Sequence, residues 1–199
     1  AIGAAARVSR GWEWPLYEPL VAIALAQRLP LIAINLSRER ARAIAASGLE
    51  VLGAGEPERQ ALAGGWDADR ARALRRALVE GHCGEDGPRI DAMAGMQRAR
   101  DALMADRILA AAGGTGVVAI VGRGHARADI GVPFYLRRRV PELAVLSLAL
   151  VEVEEGRHAP PEYAEATPGR HDLLWFTPRA ARPDPCAGFP RAGKAPPAR

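Results

Sequence analysis

One stretch, residues 117–136, constrains the fold most, because it joins the pattern of a buried strand to a loop and to the start of a helix. Residues 117–121 (VVAIV) form an apolar, β-branched run bounded by glycines, which is typical of a buried strand. A loop with two glycines and His125 follows directly, and Pro133 suits the first turn of the next helix. In open α/β sheets, ligands bind beyond the carboxyl ends of the strands. His125 is therefore the first candidate for a functional residue.

Three further segments have the composition of strands. Residues 31–34 (LIAI) are a short apolar run that ends in Asn35, and residues 144–153 form a longer continuous run. Residues 172–178 return as a third, short segment. Continuous apolar runs are typical of parallel sheets that are covered on both faces. We therefore predict an α/β fold with a mostly parallel central sheet and helices on both faces.

Capping residues and periodicity predict the helices between these strands. Ser37 and Asp67 each precede a helical pattern and can cap it, and Pro19 suits the first turn of a helix near the N-terminus. The longest helical pattern covers residues 89–112. Residues 156–169, which are rich in Pro, Ala and Glu, predict a flexible excursion.

The long helix carries apolar and polar side chains on one face. Arg100 and Arg107 lie among its methionines, and an unpaired buried guanidinium is costly. The arginines could extend to solvent or pair with Asp101 or Asp106. Alternatively, this face lines a partly apolar pocket in which an arginine binds a carboxylate. The residues of this face are Ile90, Met93, Met96, Gln97, Arg100, Met104, Arg107 and Ala111.

Composition is that of a globular protein and disfavours nucleic-acid binding. The 199 residues, 49% hydrophobic and 25% charged, match the length and composition of one domain, predicted over residues 1–188. Residues 189–199 are rich in Pro, Arg and Ala and predict a disordered tail. The net charge is +4, but only 5% of residues are aromatic and no basic patch contains them, so we expect no nucleic-acid partner. No apolar run is long enough to cross a bilayer.

The two cysteines, Cys83 and Cys186, have no metal-binding spacing. They are either two free thiols or, in an oxidising compartment, one disulfide, and the sequence does not choose between these. His82 precedes Cys83 directly, but a cysteine nucleophile also needs a third, orienting group, and none is apparent.

Several of these segments resemble one family. Residues 122–136 (GRGHARADIGVPFYL) are similar to the C-terminal signature of the ChaN-like haem-binding uptake family, within the Tiki/TraB-type superfamily. The family usually has Gly-Asn-Gly-His at this loop, where this chain has Arg123 in place of the Asn. The aromatic segment 12–19 (WEWPLYEP) and the helical segment 93–104 (MAGMQRARDALM) resemble family segments in the same order.

The resemblance extends over residues 12–186, but one segment of the family has no counterpart. Family members normally begin with a Gly-Glu-x-His-type segment on their first strand. We therefore expect that this chain is the C-terminal two-thirds of the domain and lacks its first strand or strands.

The resemblance implies haem binding in a flat, apolar pocket at the carboxyl edge of the sheet. Tyrosinate is a known haem-iron ligand, so the implied iron ligands are Tyr17, Tyr135 or His125, with ordinary core packing as the alternative for Tyr135. The residues that we expect to contact haem are His125, Tyr135, Tyr17, Arg100, Asn35 and Gln97.

The resemblance also implies a bacterial iron-uptake role, a homodimer that shields the haem, and a periplasmic or outer-membrane-anchored lipoprotein. This chain contains no signal segment of its own. The alternative function is a metal-dependent hydrolase related to Tiki-type peptidases or erythromycin-esterase-like enzymes, with His125 as a metal ligand or general base. A catalytic metal needs about three protein ligands, and this chain offers one convincing candidate. We therefore expect a binding protein rather than an enzyme; a degenerate domain without a ligand is a third possibility.

Overall fold

A computed structural model describes residues 14–53, 62, 64–114, 116–184 and 186–187. The chain divides into two units, Ala1–Ala33 and Ile34–Arg199, which are described separately. The predicted tail at residues 189–199 lies outside the described residues, and the single domain over residues 1–188 stays a prediction. Among the described residues, no helix has both the length and the apolar composition that a membrane span requires.

The N-terminal unit contains helix α1, Trp14–Ala26. Pro15, rather than Pro19, occupies the first turn, so the predicted helix start was wrong. Pro15 needs no hydrogen-bond partner there, whereas Pro19 lies inside the helix and leaves the Pro15 carbonyl without its usual amide donor. The predicted strand over residues 31–34 is also not formed, because the described residues provide no strand that pairs with it.

The described residues of the second unit form four α-helices, and two of these begin at the predicted caps. Ser37 accepts a hydrogen bond from the amide of Arg40 at 3.2 Å, and Asp67 accepts one from the amide of Arg70 at 2.8 Å. Each cap satisfies one of the free amides at a helix start. The helices are α2 (Arg38–Ser47), α3 (Ala68–Gly81), α4 (Pro88–Ala111) and α5 (Val132–Arg139).

Helix α4 is the centre of the larger core. It contacts α2, α3 and α5. Ala99, Ala102 and Ala105 are 0% exposed, and such small side chains let neighbouring elements approach the helix backbone closely. Met104, one of the methionines on the predicted pocket face, is buried in the same core. The long helix predicted for residues 89–112 is therefore confirmed, and part of its apolar face packs against other helices.

The sheet has two parallel strands, β1 (Leu148–Glu152) and β2 (Leu173–Thr177). Leu150 pairs with Trp175, and on this face both side chains are exposed, by 63% and 64%. The opposite face forms a second, smaller core in which Ala149 and Val151 pack with Tyr163. The α/β class and the parallel pairing are confirmed, but the described sheet has fewer strands than predicted.

Residues 117–121 do not form the predicted strand among the described residues. Val118 is 92% exposed, although the composition of residues 117–121 is that of a buried strand. A strand exists only where a second backbone pairs with it, and apolar composition alone does not supply that partner.

The predicted flexible excursion at residues 156–169 is folded onto the sheet. It contains two short 3₁₀ turns, Pro160–Glu162 and Ala164–Ala166. Between them, Tyr163 is 4% exposed, and its hydroxyl accepts a hydrogen bond from the amide of Glu154 at 3.0 Å. The buried ring explains why this Pro-rich and Ala-rich segment has a fixed conformation.

Cys83 and Cys186 form a disulfide, which decides between the two possibilities left open by the sequence. The bond joins the turn after α3 to the segment beyond β2 and spans 103 residues of sequence. His82, next to it, donates a hydrogen bond from Nδ1 to the Leu78 carbonyl at 2.7 Å and so closes the end of α3.

We expect Cys83→Ser to lower the free energy of unfolding by about 4 kcal/mol, because the loop closed by the disulfide restricts the unfolded chain. Urea denaturation without reductant measures the change. Wild-type protein in dithiothreitol is the control and should unfold at the midpoint of the variant. Equal midpoints of the wild type with and without dithiothreitol would contradict a stabilising disulfide.

Candidate functional site

The loop at residues 122–131, here called the His125 loop, is closed by its own backbone. The amide of His125 donates to the Gly122 carbonyl at 2.8 Å, and the carbonyl of His125 accepts from the amide of Val132, the first residue of α5, at 2.8 Å. The backbone on both sides of the histidine is therefore fixed, as the Gly-rich pattern predicts.

Gly131 is required for this closed shape because of space rather than dihedral angle. A Cβ atom at this position would lie 2.3 Å from the carbonyl oxygen of His125 and 2.7 Å from that of Arg127. The backbone conformation of Gly131 is an ordinary extended one, with φ −97°. Gly124 in the same loop has open space at its Cβ position.

The imidazole of His125 contacts a buried carboxylate on α4. Its Nδ1 donates to Oδ1 of Asp101 at 2.5 Å, and Asp101 is 1% exposed. Burial raises the pKa of Asp101 to about 6, and the hydrogen bond to His125 counteracts part of this rise. A carboxylate buried to this degree needs a partner, and the imidazole is the one it has.

Gln97 lies one helical turn before Asp101 and touches the same ring. Its amide nitrogen is 2.8 Å from Nδ1 of His125 and 3.5 Å from Nε2. Nδ1 can make a single hydrogen bond, and we assign it to Asp101 because the 2.5 Å distance is shorter than the 2.8 Å distance to Gln97. Nε2 is therefore the ring nitrogen left for a further partner, and among the described residues its one hydrogen-bond contact is the 3.5 Å distance to Gln97.

The two arginines of the predicted pocket face have different surroundings. Arg107 donates to the carbonyl of Asn35 at 2.9 Å, and the Asn35 side chain accepts from the amide of Leu36 at 2.8 Å, so both side chains bond to backbone atoms around residue 35. Arg100 is half-buried, and its Nε is buried without a hydrogen-bond partner among the described residues. Its positive charge lowers the pKa of Asp101, so Arg100 belongs to the neighbourhood of the histidine.

The two candidate tyrosines differ in their surroundings. Tyr135 is 2% exposed, and its ring centroid lies 6.3 Å from Trp66 and 5.0 Å from Phe134. Burial raises the pKa of Tyr135 to about 12, so forming its phenolate for a metal is costly. This environment favours the core-packing alternative for Tyr135 over iron ligation. Tyr17 lies on α1 in the N-terminal unit and is half-buried.

The sequence pointed to His125 and Gln97, which the structure brings together, but it did not identify Asp101 as the partner of the histidine. It treated Asp101 as a possible partner of an arginine. Asp101 follows Gln97 by four residues and therefore lies on the same helix face. A carboxylate among buried alanines and methionines was the signal that could have identified it.

Two clefts of about 390 and 370 Å³ lie along α3, the first of them between α3 and α4. Trp66, Gly95 and Arg98 line the larger cleft, and His125 lines neither of the two. The apolar pocket expected at the sheet edge therefore stays a prediction. Within the described part of the chain, no group of three or more His, Cys, Asp and Glu side chains could hold a metal ion.

A comparison with protein-family models identifies the family of this chain. A family model described as haem-binding uptake, Tiki superfamily, ChaN matches residues 1–136. Among solved structures, the chain is similar to ChaN of Campylobacter jejuni, whose structure is described as showing cofacial haem binding, with 18% identity and a TM-score of 0.57. The match covers 76% of this chain and 55% of that one, so the chain spans little more than half of that relative. No curated protein matches the chain. At this identity, the structural likeness supports the fold.

The raised pKa of Asp101 predicts a pH dependence of stability. Because the native state binds this proton more tightly than the unfolded state does, stability falls as the pH rises from the unfolded value of 3.8 through about 6. Relative to Asp101→Asn, the wild type should lose about 2 kcal/mol of unfolding free energy between pH 4 and pH 7. Urea denaturation at both pH values measures this loss.

Asp91→Asn is the control, because Asp91 is an exposed carboxylate on the same helix. This variant should keep the wild-type dependence on pH. An Asp101→Asn variant with the same pH dependence as the wild type would show that Asp101 is ionised throughout.

Gly131→Ala should destabilise the protein by about 2 kcal/mol, because the added methyl group overlaps the His125 carbonyl and the loop must move. Gly124→Ala is the matched control, and we expect a change within about 0.5 kcal/mol there because nothing lies within 4 Å of the added atom. Thermal or urea unfolding of both variants measures the difference. Equal stabilities would refute the space constraint at Gly131.

Proposed function

The chain belongs to the haem-binding uptake family of the Tiki superfamily (ChaN), and from this premise we propose that it binds haem beside the His125 loop and the adjoining side of α4. The observation that carries the proposal is the fixed imidazole of His125, held by the buried carboxylate of Asp101 at 2.5 Å. Both residues lie within segments whose sequences resemble the family.

His125 is the residue that we assign to contact with the haem. With Nδ1 engaged by Asp101, Nε2 is the nitrogen whose lone pair can accept a hydrogen bond or bind a metal. A carboxylate behind an imidazole fixes the tautomer and the orientation of the ring, as it does in other metal-binding proteins. Gln97 lies beside the same ring, with its amide nitrogen 2.8 Å from Nδ1.

Arg100 is the residue that we assign to a haem propionate. Its Nε is buried without a hydrogen-bond partner in the described part of the chain, which is the condition that a carboxylate ligand would relieve. The planar guanidinium binds carboxylates with two parallel hydrogen bonds. Arg100 is one helical turn beyond Gln97, so a single ligand could meet both side chains.

Tyr17, in the N-terminal unit, is the tyrosine that we keep as the candidate iron ligand implied by the family resemblance. Of the two candidates, it is the one whose side chain is not enclosed in the aromatic cluster of Trp66, Phe134 and Tyr135. Haem, when bound, supplies an iron that takes axial protein ligands and two propionates that take cations. Within the second unit, the protein side of this proposal is thus one oriented imidazole and one guanidinium.

A role in bacterial iron uptake, in an oxidising compartment such as the periplasm, is part of the proposal. The disulfide between Cys83 and Cys186 supports such a compartment, because disulfides are rare in the reducing cytosol. A lipoprotein anchor and a homodimer that shields the haem stay predictions. The described residues provide no observation that favours the metal-dependent hydrolase, so haem binding is the function we develop.

Titration with haemin tests the proposal. We expect a saturable shift of the Soret band in the wild type, a changed band position in Tyr17→Phe because an iron ligand is lost, and at least tenfold weaker binding in His125→Ala. Arg100→Gln should weaken binding by about three- to tenfold, which corresponds to a carboxylate hydrogen bond of about 1 kcal/mol.

Tyr135→Phe is the matched control, because it removes a hydroxyl from a core tyrosine and should leave the Soret band unchanged. If Tyr135→Phe alters the band and Tyr17→Phe does not, the assignment of the iron ligand is wrong. If the wild type gives no saturable spectral change, the haem-binding proposal fails as a whole.

A further inference from the structure

The His125 loop has a second set of contacts, made by the part of the chain that carries the sheet. Ser147 lies directly before β1 and is 3% exposed. Its hydroxyl donates to the carbonyl of Ala126, the residue after His125, at 2.5 Å. A buried hydroxyl therefore holds the backbone immediately beside the histidine.

The Ser147 hydroxyl is itself fixed by its neighbours. Its only proton goes to Ala126, so the Nδ1 of His171, 3.0 Å away, must donate to the same oxygen. Burial is the main cause that lowers the pKa of His171, which keeps this ring neutral at neutral pH. The amide of Ser147 donates to the carboxylate of Asp172 at 2.6 Å. Both supporting residues directly precede β2.

Two further contacts join the loop to the segment between the strands. Arg123 forms an ion pair with Glu165 at 2.6 Å, and Glu165 is only 16% exposed. The amide of Ala128 donates to the carbonyl of Arg170 at 2.6 Å. Arg123 replaces the usual Asn of the family. The ion pair with Glu165 therefore involves the residue at which this chain departs from the family pattern.

The loop therefore lies between two cores. Its imidazole is bound to Asp101 on α4, which belongs to the helical core, and its backbone is hydrogen-bonded to Ser147 before β1 and Arg170 before β2, the two strands that carry the smaller core. A hydrogen bond of 2.5 Å tolerates little displacement of either partner. Loss of a contact on the sheet side would free the loop to move, and with it the imidazole relative to Asp101.

We propose that Ser147 and Glu165 are positioning residues for His125, acting through the Ala126 carbonyl and the Arg123 guanidinium to keep the imidazole on Asp101. The effect on haem affinity rests on the proposed function, whereas the effect on the imidazole does not require haem. Neither residue contacts the ring itself, so both act on it through the loop backbone.

Nitrogen-15 NMR of the histidine rings in the full, haem-free chain tests this inference. The wild type should show His125 protonated at Nδ1, with slow exchange of that proton. In Ser147→Ala and Glu165→Gln, we expect exchange at least tenfold faster at Nδ1 and at the amides of Ala126 and Val132, while the amides inside α4 keep their wild-type rates. A loss of general stability would accelerate both groups of amides together.

The matched control is Glu154→Gln, since Glu154 pairs with Arg157 in the same segment and has no contact with the loop. It should leave the His125 ring unchanged, and Arg123→Lys, which keeps the charge opposite Glu165, should retain slow exchange. Should Ser147→Ala fail to fold, Glu165→Gln decides the question, because Gln has nearly the shape of Glu and the Arg123 side chain opposite it is 57% exposed.

Haemin titration of the same variants separates the two proposals. Faster exchange together with at least fivefold weaker haem binding supports both. Faster exchange with unchanged haem affinity supports the positioning role and contradicts the haem contact of His125. Wild-type exchange at Nδ1 in both variants overturns the positioning role, whether or not the wild type binds haem.

Discussion

The hydrogen bond between Asp101 and His125 is the interaction on which the rest of the site depends. An ionisable carboxyl group that is 1% exposed pays a large desolvation penalty, and the imidazole is the partner that makes its burial tolerable. The partner does not come from the helical core but from a loop. The position of that loop consequently affects the pKa of Asp101, and the same hydrogen bond fixes the orientation of the His125 ring.

Close packing on both sides of the loop makes this arrangement possible. On the helix side, the alanines at 99, 102 and 105 bring neighbouring elements close to the backbone of α4. At the end of the loop, Gly131 allows two carbonyl groups to approach where a methyl group would not fit. On the sheet side, Ser147 and Glu165 hold the loop by polar contacts. The small side chains allow the backbones to approach closely, and the polar side chains then fix the orientation of the His125 loop.

The sequence predictions were accurate where an element depends on contacts between residues close in sequence, and inaccurate where it depends on distant residues. The caps at Ser37 and Asp67 were predicted correctly because a cap is a contact over three residues. The strand predicted over residues 117–121 failed because strand pairing needs a distant partner, which composition cannot provide. The excursion at residues 156–169 was predicted as flexible because its one anchoring ring, Tyr163, is inconspicuous among Pro, Ala and Glu.

The sequence by itself determined the family, the α/β class and most of the helices, and it pointed to His125 and Gln97, because these depend on local patterns of residues. Only the tertiary structure decided that His125 is bound to Asp101, that Tyr135 belongs to the core, and that the two cysteines are joined. Each of these depends on which side chains meet across the fold. Burial then decides the chemistry, since the same carboxyl or phenol changes its pKa when water is removed from around it.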